Sequence, residues 1–353
     1  SWNGRRRRRR MGRVTLAAWR RHLDQGGSGL AGESQRGRPP LWERRLCFVM
    51  GKGGVGKSTV AAALASAYAR QGTRALLVEV LGRNRLSRLL EDRGVGTEPV
   101  DVGGGLHAIA IDPQEATEEY LRGQLKVRAL AEVLVHSKAF RGFTAAAPGL
   151  AEMVTIGKIW QLAVELRPAG DAPVWDRIVV DCPATGHGIA LLETAGNVRD
   201  IARSGPVHDQ ADRIEQVISH PAATGVALVA RPDELPVGEA LDAVERLDEL
   251  GMPVAAAILN ATTPQRFEES DDQALRAALA DGMPIAGRAA AAAALDERAR
   301  AAREREQCAR LVAAGLPVIE LPRLTRARVD DDGVATLADA LAVQFQAHET
   351  VAG

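Results

Sequence analysis

The chain has 353 residues, 46% hydrophobic and 25% charged, enough to bury a large core as one big domain or two small ones. Its 45 basic and 45 acidic residues cancel. No run of about 18 apolar residues and no apolar signal region occurs, which argues against membrane insertion or export and for a cytoplasmic protein.

The charge balance hides an asymmetry. Residues 1–45 carry 13 arginines, including Arg5 to Arg10 in one run, against Asp24, Glu33 and Glu43; this is a net of +10, so the rest of the chain sums to −10. The segment has too few apolar residues in any helical or strand period to build a core, and reads as a disordered tail. An arginine run can attract nucleic acid, but no aromatics are interleaved with it, so no nucleic-acid partner is expected. The opening at Ser1 rather than methionine also makes this tail a candidate start-site artefact.

From Leu46 the character changes. Short apolar, β-branched runs recur at 46–50, 74–80, 106–111, 177–181, 224–230, 253–259 and 317–321, with Ala/Leu/Glu/Arg stretches of helical length between most of them. Continuous apolar strands alternating with helices predict an α/β fold: a mostly parallel sheet covered by helices on both faces. Residues 112–170 show helical periodicity without a strong strand and read as an inserted helical subdomain. The alanine run 289–295 reads as helix. One domain is expected over 46–345, with a short tail at 346–353. Cys47, Cys182 and Cys308 are odd in number, far apart and outside any CxxC or His-Cys cluster, so they read as reduced thiols rather than a disulfide framework or zinc site.

Only five lysines occur in the chain, and two of them, Lys52 and Lys57, fall in the nine residues "GKGGVGKST" at 51–59. The stretch lies between the first apolar run and an alanine-rich helical segment ending at Gly72. Gly51, Gly56, Lys57 and Ser58 fit G-x-x-x-x-G-K-[ST] in the strand, loop, helix context that a phosphate-binding loop needs. Glycines let backbone N–H groups wrap a polyphosphate, and the following helix points its positive end at the same charge. Gly51, Gly53, Gly54, Val55, Gly56, Lys57, Ser58 and Thr59 are therefore the candidate ATP-binding residues. Lys57 would reach the β and γ phosphates, and the Ser58 hydroxyl would bind Mg2+. The fourth apolar run ends at Asp181, where a carboxylate makes the second Mg2+ contact through a water, and glycines follow in "DCPATGHG". Cys182 reads as core packing beside it.

Lys52 makes the loop a deviant phosphate-binding motif and resembles that of the ATPase subclass containing MinD, ParA, nitrogenase iron protein and the ArsA-like ATPases. In that subclass the first lysine crosses a dimer interface to the nucleotide of the other subunit, so the resemblance implies a dimer. "DCPATGH" is similar to the D-T-A-P-T-G-H of the ArsA-like anion-transporting and tail-anchored-protein-targeting ATPases, and "APGLAEM" (147–153) resembles their P-G-x-x-E segment. The resemblance implies a purine-side role for Asn260, which closes the strand "AAAILN", and for Pro322 in "LPRL". It leaves His187 open between a chemical role and a hydrogen-bonded structural one.

Two departures bear on function. The family's D-P-A-H, whose aspartate orients the attacking water, is replaced here by "VLGRNRLS", which puts Leu81 in the aspartate's place and leaves Glu79 as the nearest carboxylate. A leucine cannot orient water. There is also no CxxC, no arsenite-type cysteine trio and no methionine-rich groove, so the resemblance names no cargo. The expectation is a Mg2+-dependent ATPase acting as a homodimer or a paralogue heterodimer. It would couple ATP-driven closure to a membrane transporter of anions or to a protein client, and lie at the membrane only through that partner. The alternative is a catalytically weak, nucleotide-gated subunit that pairs with an active paralogue.

Overall fold

The strand Leu46–Met50 (β1) is buried along its whole length and takes a parallel neighbour on each side, which is why every one of its residues is apolar. The computed structural model describes residues 39–80, 86, 94–124, 149–167, 172–252, 254–279, 284–324 and 330–352. Around β1 stand Ala75–Val80 (β2), Val100–Gly103 (β3), Leu106–Ile111 (β4), Arg177–Asp181 (β5), Thr224–Ala230 (β6), Val254–Thr262 (β7) and Val318–Pro322 (β8). They form one sheet in the order β3-β4-β2-β5-β1-β6-β7-β8. All neighbours are parallel except the β3–β4 hairpin at one edge.

Seven strands match the apolar runs of the sequence to within a few residues. β3 was not expected from the sequence. It spans four residues, buries only Val102 and has no apolar run, and it pairs because Gly103, Gly104 and Gly105, all at positive φ, turn the chain back onto β4.

The helices fall on both faces, as the buried strands require. Lys57–Arg70 (α1) follows β1, and its alanine-rich sequence favours helix while letting it pack closely against the sheet. Pro113–Gln124 (α2) and Leu150–Val164 (α3) lie within the expected helical insert, whose residues 125–148 fall outside those described. Then come Thr185–Ala202 (α4), Pro206–Ile218 (α5), Glu234–Glu249 (α6), Asp272–Ala277 (α7), Ile285–Ala313 (α8) and Asp331–Ala352 (α9). The alanine run lies inside α8 as expected.

One core cluster packs α1 and α9 against one face through Cys47, Val49, Leu77 and Val179. A second joins α3, α4 and α5 to the opposite face through Phe48, Val78 and Val180, and α6 and α8 cover the β6–β7 part of that face. The strict alternation between these clusters is the two-residue period of each strand.

The segment ahead of β1 corrects one boundary. Composition groups residues up to Arg45 with the arginine-rich tail, yet Leu41–Glu43 forms a 3-10 turn and Leu41 is fully buried. Trp42 packs on Phe345 of α9, and Tyr68 of α1 donates a 3.0 Å hydrogen bond to the Leu41 carbonyl. The Arg44 guanidinium, 2% exposed, donates to the carbonyls of Pro39, Pro221 and Thr224 at 3.0, 2.7 and 2.6 Å. By composition these residues resemble polar tail, because two of the carbonyls that satisfy Arg44 lie far along the chain. Residues 1–38 fall outside those described.

Among the described residues, no helix is long and apolar enough to cross a membrane.

Candidate functional site

In a parallel sheet the strands all deliver their next residues to the same edge, and ligands bind beyond their carboxyl ends. Every candidate residue lies at that edge: Gly51 follows β1, Glu79 nears the end of β2, Asp181 ends β5, Asn260 nears the end of β7 and Pro322 ends β8.

The glycine loop is shaped by close contacts. Gly51 has φ 152°, and a Cβ there would lie 2.1 Å from the Val229 carbonyl oxygen; Gly56 has φ 94°, and a Cβ there would lie 2.2 Å from Asn260 Nδ2. Side chains are excluded at both positions by backbone conformation and by space. Gly53 and Gly54 are the opposite case, exposed and with nothing within 4 Å of an added Cβ, so the outer rim of the loop is open. Val55 is buried and anchors the loop in the α1 core. The Lys57 ammonium, almost buried, folds back and donates to the Lys52 carbonyl at 2.9 Å. Ser58 and Thr59 are half-buried in the first turn of α1, whose cap residue Gly56 offers no side-chain acceptor to its amides.

Two carboxylates meet beside this loop. Asp181 pairs in register with Val49 on one side and with Glu79 on the other, and both acids are buried. They continue the rows of Val179 and Leu77, so they project on the α1 face. The chain after β5 is tied to the loop, because the Cys182 and Thr185 amides donate to the Val49 and Gly51 carbonyls at 3.1 and 3.2 Å. Cys182 is buried as expected, and burial pushes its thiol well up; the charge of Asp181 raises it further and that of Lys57 lowers it. His187, in the first turn of α4, is exposed.

Asn260 also joins the group, donating from Nδ2 to the Val55 carbonyl at 2.8 Å. Its register partner is Leu321, and Pro322 stands opposite Thr262, so the two expected purine-side positions are neighbours. Leu81 lies outside the described residues.

One contact was not visible in the sequence. The Lys52 ammonium sits 2.5 Å from Glu239 Oε1, on α6, with both side chains a little over one-third exposed. Nothing local marks Glu239, because it is one of many acids on an amphipathic helix.

Chemically, the loop fits a polyphosphate and the pair Ser58 and Asp181 offers the hydroxyl and carboxylate oxygens that Mg2+ prefers. Among the described residues no cluster of three or more His, Cys, Asp or Glu is arranged to hold a metal by itself, so a cation here would rely on substrate oxygens and water, as magnesium does.

Comparison with known proteins points the same way. The family model for anion-transporting ATPases matches residues 44–204. The ATPase BagA of Mycobacterium tuberculosis is 36% identical over 232 residues, covering 64% of this chain and 68% of that protein. An arsenical pump-driving ATPase of Acidiphilium multivorum is 29% identical over 263 residues, 66% of this chain but 41% of that protein. The ATPase ASNA1 homolog 1 of Paramecium tetraurelia is 28% identical over 151 residues, covering 41% of this chain and 42% of its own.

Proposed function

The chain belongs to the anion-transporting ATPase family, and on that premise we propose that it is a Mg2+-dependent ATPase that works as a dimer. The observation that carries this reading is the pair of register-matched carboxylates, Asp181 and Glu79, at the strand ends beside a loop that carries Lys57 and is closed to side chains at Gly51 and Gly56.

In this reading the loop amides and the open first turn of α1 receive the β and γ phosphates of ATP. Lys57 exchanges its hydrogen bond with the Lys52 carbonyl for phosphate oxygens, and its positive charge opposes the charge that develops in transfer. Ser58 and Asp181 would hold the magnesium ion, which supplies further charge neutralisation. Glu79 is the nearest carboxylate to take the water-orienting role that Leu81 cannot fill. Asn260 and Pro322 border the purine, with Asn260 also bracing the loop through Val55. Lys52 leaves Glu239 and crosses to the nucleotide of the second subunit, so closure and turnover are linked. The client is an anion transporter or a protein, which the dimer engages in one state of the cycle.

A specific observation favours a second reading, in which the chain binds ATP but turns it over poorly and pairs with an active paralogue. That observation is Leu81 itself. Steady-state ATP hydrolysis by the full chain, with and without Mg2+ and across protein concentration, separates the two. Turnover that needs Mg2+ and rises per chain with concentration supports the homodimeric ATPase; tight ATP binding without turnover supports the second reading. Absence of any nucleotide binding would overturn both.

A further inference from the structure

On the α6 and α8 side of the sheet edge lies a cleft of about 270 Å³ that contains none of the residues assigned to ATP. Its walls carry Arg231, just past β6, Arg323, just past β8, and Arg300 and Arg303 from α8, together with Asp233 and Glu304. Four guanidiniums against two carboxylates leave a local excess of two positive charges.

The two acids do little to cancel it. Glu304, 8% exposed, is committed to the turn after β7, where Oε2 accepts the Thr263 amide at 2.6 Å and Oε1 accepts the Thr263 hydroxyl at 2.9 Å. Its approach to Arg323 is only 3.7 Å, and Asp233 stands 3.5 Å from Arg231. Charge-assisted hydrogen bonds in a formed pair run to about 2.7–2.9 Å, so both guanidiniums keep donor edges free. Arg300 and Arg303 are exposed and make no hydrogen bond or ion pair with any described residue. They sit three apart on one helix, where like charges repel. A sequence has no folding reason to gather four arginines this way around a concave surface.

We infer that this cleft is a second anion site, which takes a multiply charged phosphoanion of about pyrophosphate size. The chemistry follows from the donors: guanidinium forks match tetrahedral oxyanions bidentately, and several of them converging select a ligand with more than one charge. The size follows from the volume, which falls just below the range of about 300–1,000 Å³ typical of sites that enclose a whole drug-sized ligand. The ligand is a free phosphoanion or the phosphate chain of a larger molecule whose remainder stays in solvent. Its position gives it leverage, because Arg323 adjoins Pro322 and donates its amide to the Thr262 carbonyl at 2.9 Å, while Asp233 precedes α6, the helix that carries Glu239.

The test is calorimetric titration of inorganic pyrophosphate into the full chain carrying Lys57→Ala, at fixed ionic strength. The comparison is the same chain with Arg300→Gln and Arg303→Gln added; both positions are exposed, so folding is not at stake. Saturable binding that weakens roughly tenfold or more in the arginine variant is expected, since charge-assisted donors are lost. Competition by ATP would assign the phosphate chain of a nucleotide as the source, and its absence a free phosphoanion. Binding that vanishes with Lys57→Ala alone, or that the arginine changes leave intact, overturns the site. An arginine variant that alters only self-association assigns the cleft to a protein interface and overturns it too. If Lys57→Ala fails to fold, the same comparison with the native loop must show two pyrophosphate sites becoming one.

Discussion

Lys52 and Glu239, 187 positions apart, form an ion pair within a single chain. The lysine expected to act on a second subunit is thus held by its own. Because both side chains are more than one-third exposed, the pair is worth no more than about 1 kcal/mol. In the proposed dimer, a contact this weak can hold Lys52 at rest without blocking closure.

Lys52→Ala should keep ATP affinity within a few fold and lose about a thousandfold or more of turnover, the scale of a trans-acting cation on a transferring phosphate. Glu239→Gln should change turnover by less than about fivefold, because only a weak restraint is removed. Hydrolysis and nucleotide titrations on both variants check this. A Lys52→Ala protein with normal turnover would sink the sandwich dimer.

Glu79→Gln preserves shape but removes the carboxylate beside Asp181. If Glu79 orients the attacking water, turnover should fall by about 10²–10⁴ with ATP binding retained. Single-turnover hydrolysis is the measurement, and unchanged rates would return attention to the residues around Leu81.

Gly56→Ala adds a Cβ at φ 94° and 2.2 Å from Asn260 Nδ2. The left-handed backbone alone costs about 1–2 kcal/mol, and the clash must also displace the Asn260–Val55 hydrogen bond. Thermal and denaturant unfolding should show a loss of about 2 kcal/mol or more, with weaker nucleotide binding. Adding Asn260→Ala should recover part of the stability, because the clash goes and the backbone strain stays. Strict additivity of the two substitutions would refute the contact.

Burial pushes the Cys47 thiol from 9.0 up to about 12. A raised folded pKa means that its contribution to stability is fully present below pH 9 and is lost as pH rises toward 12. Each pH unit in that window removes about 1.4 kcal/mol from this group. Stability measured between pH 8 and 11 should therefore fall less steeply in Cys47→Ala than in the native chain. Equal slopes would show that Cys47 is not the group responsible.

The sequence alone carried the positions of seven strands, of the helix after the loop, of the loop itself and of Asp181 at a strand end. Each rests on contiguous signals: a buried parallel strand must be apolar throughout, and a phosphate loop needs its glycines, lysine and hydroxyl within nine residues. The hairpin strand β3 escaped because an edge strand of four residues buries too little to leave an apolar run. The docking of Leu41, Trp42 and Arg44 escaped because their partners are Tyr68, Phe345 and the carbonyls near residue 221. Tertiary structure alone set Glu79 next to Asp181, Glu239 against Lys52, and arginines from two loops and α8 around one cleft. Such contacts depend on strand register and helix placement. Those are fixed by burial summed over the whole core, and no local stretch of sequence encodes that sum.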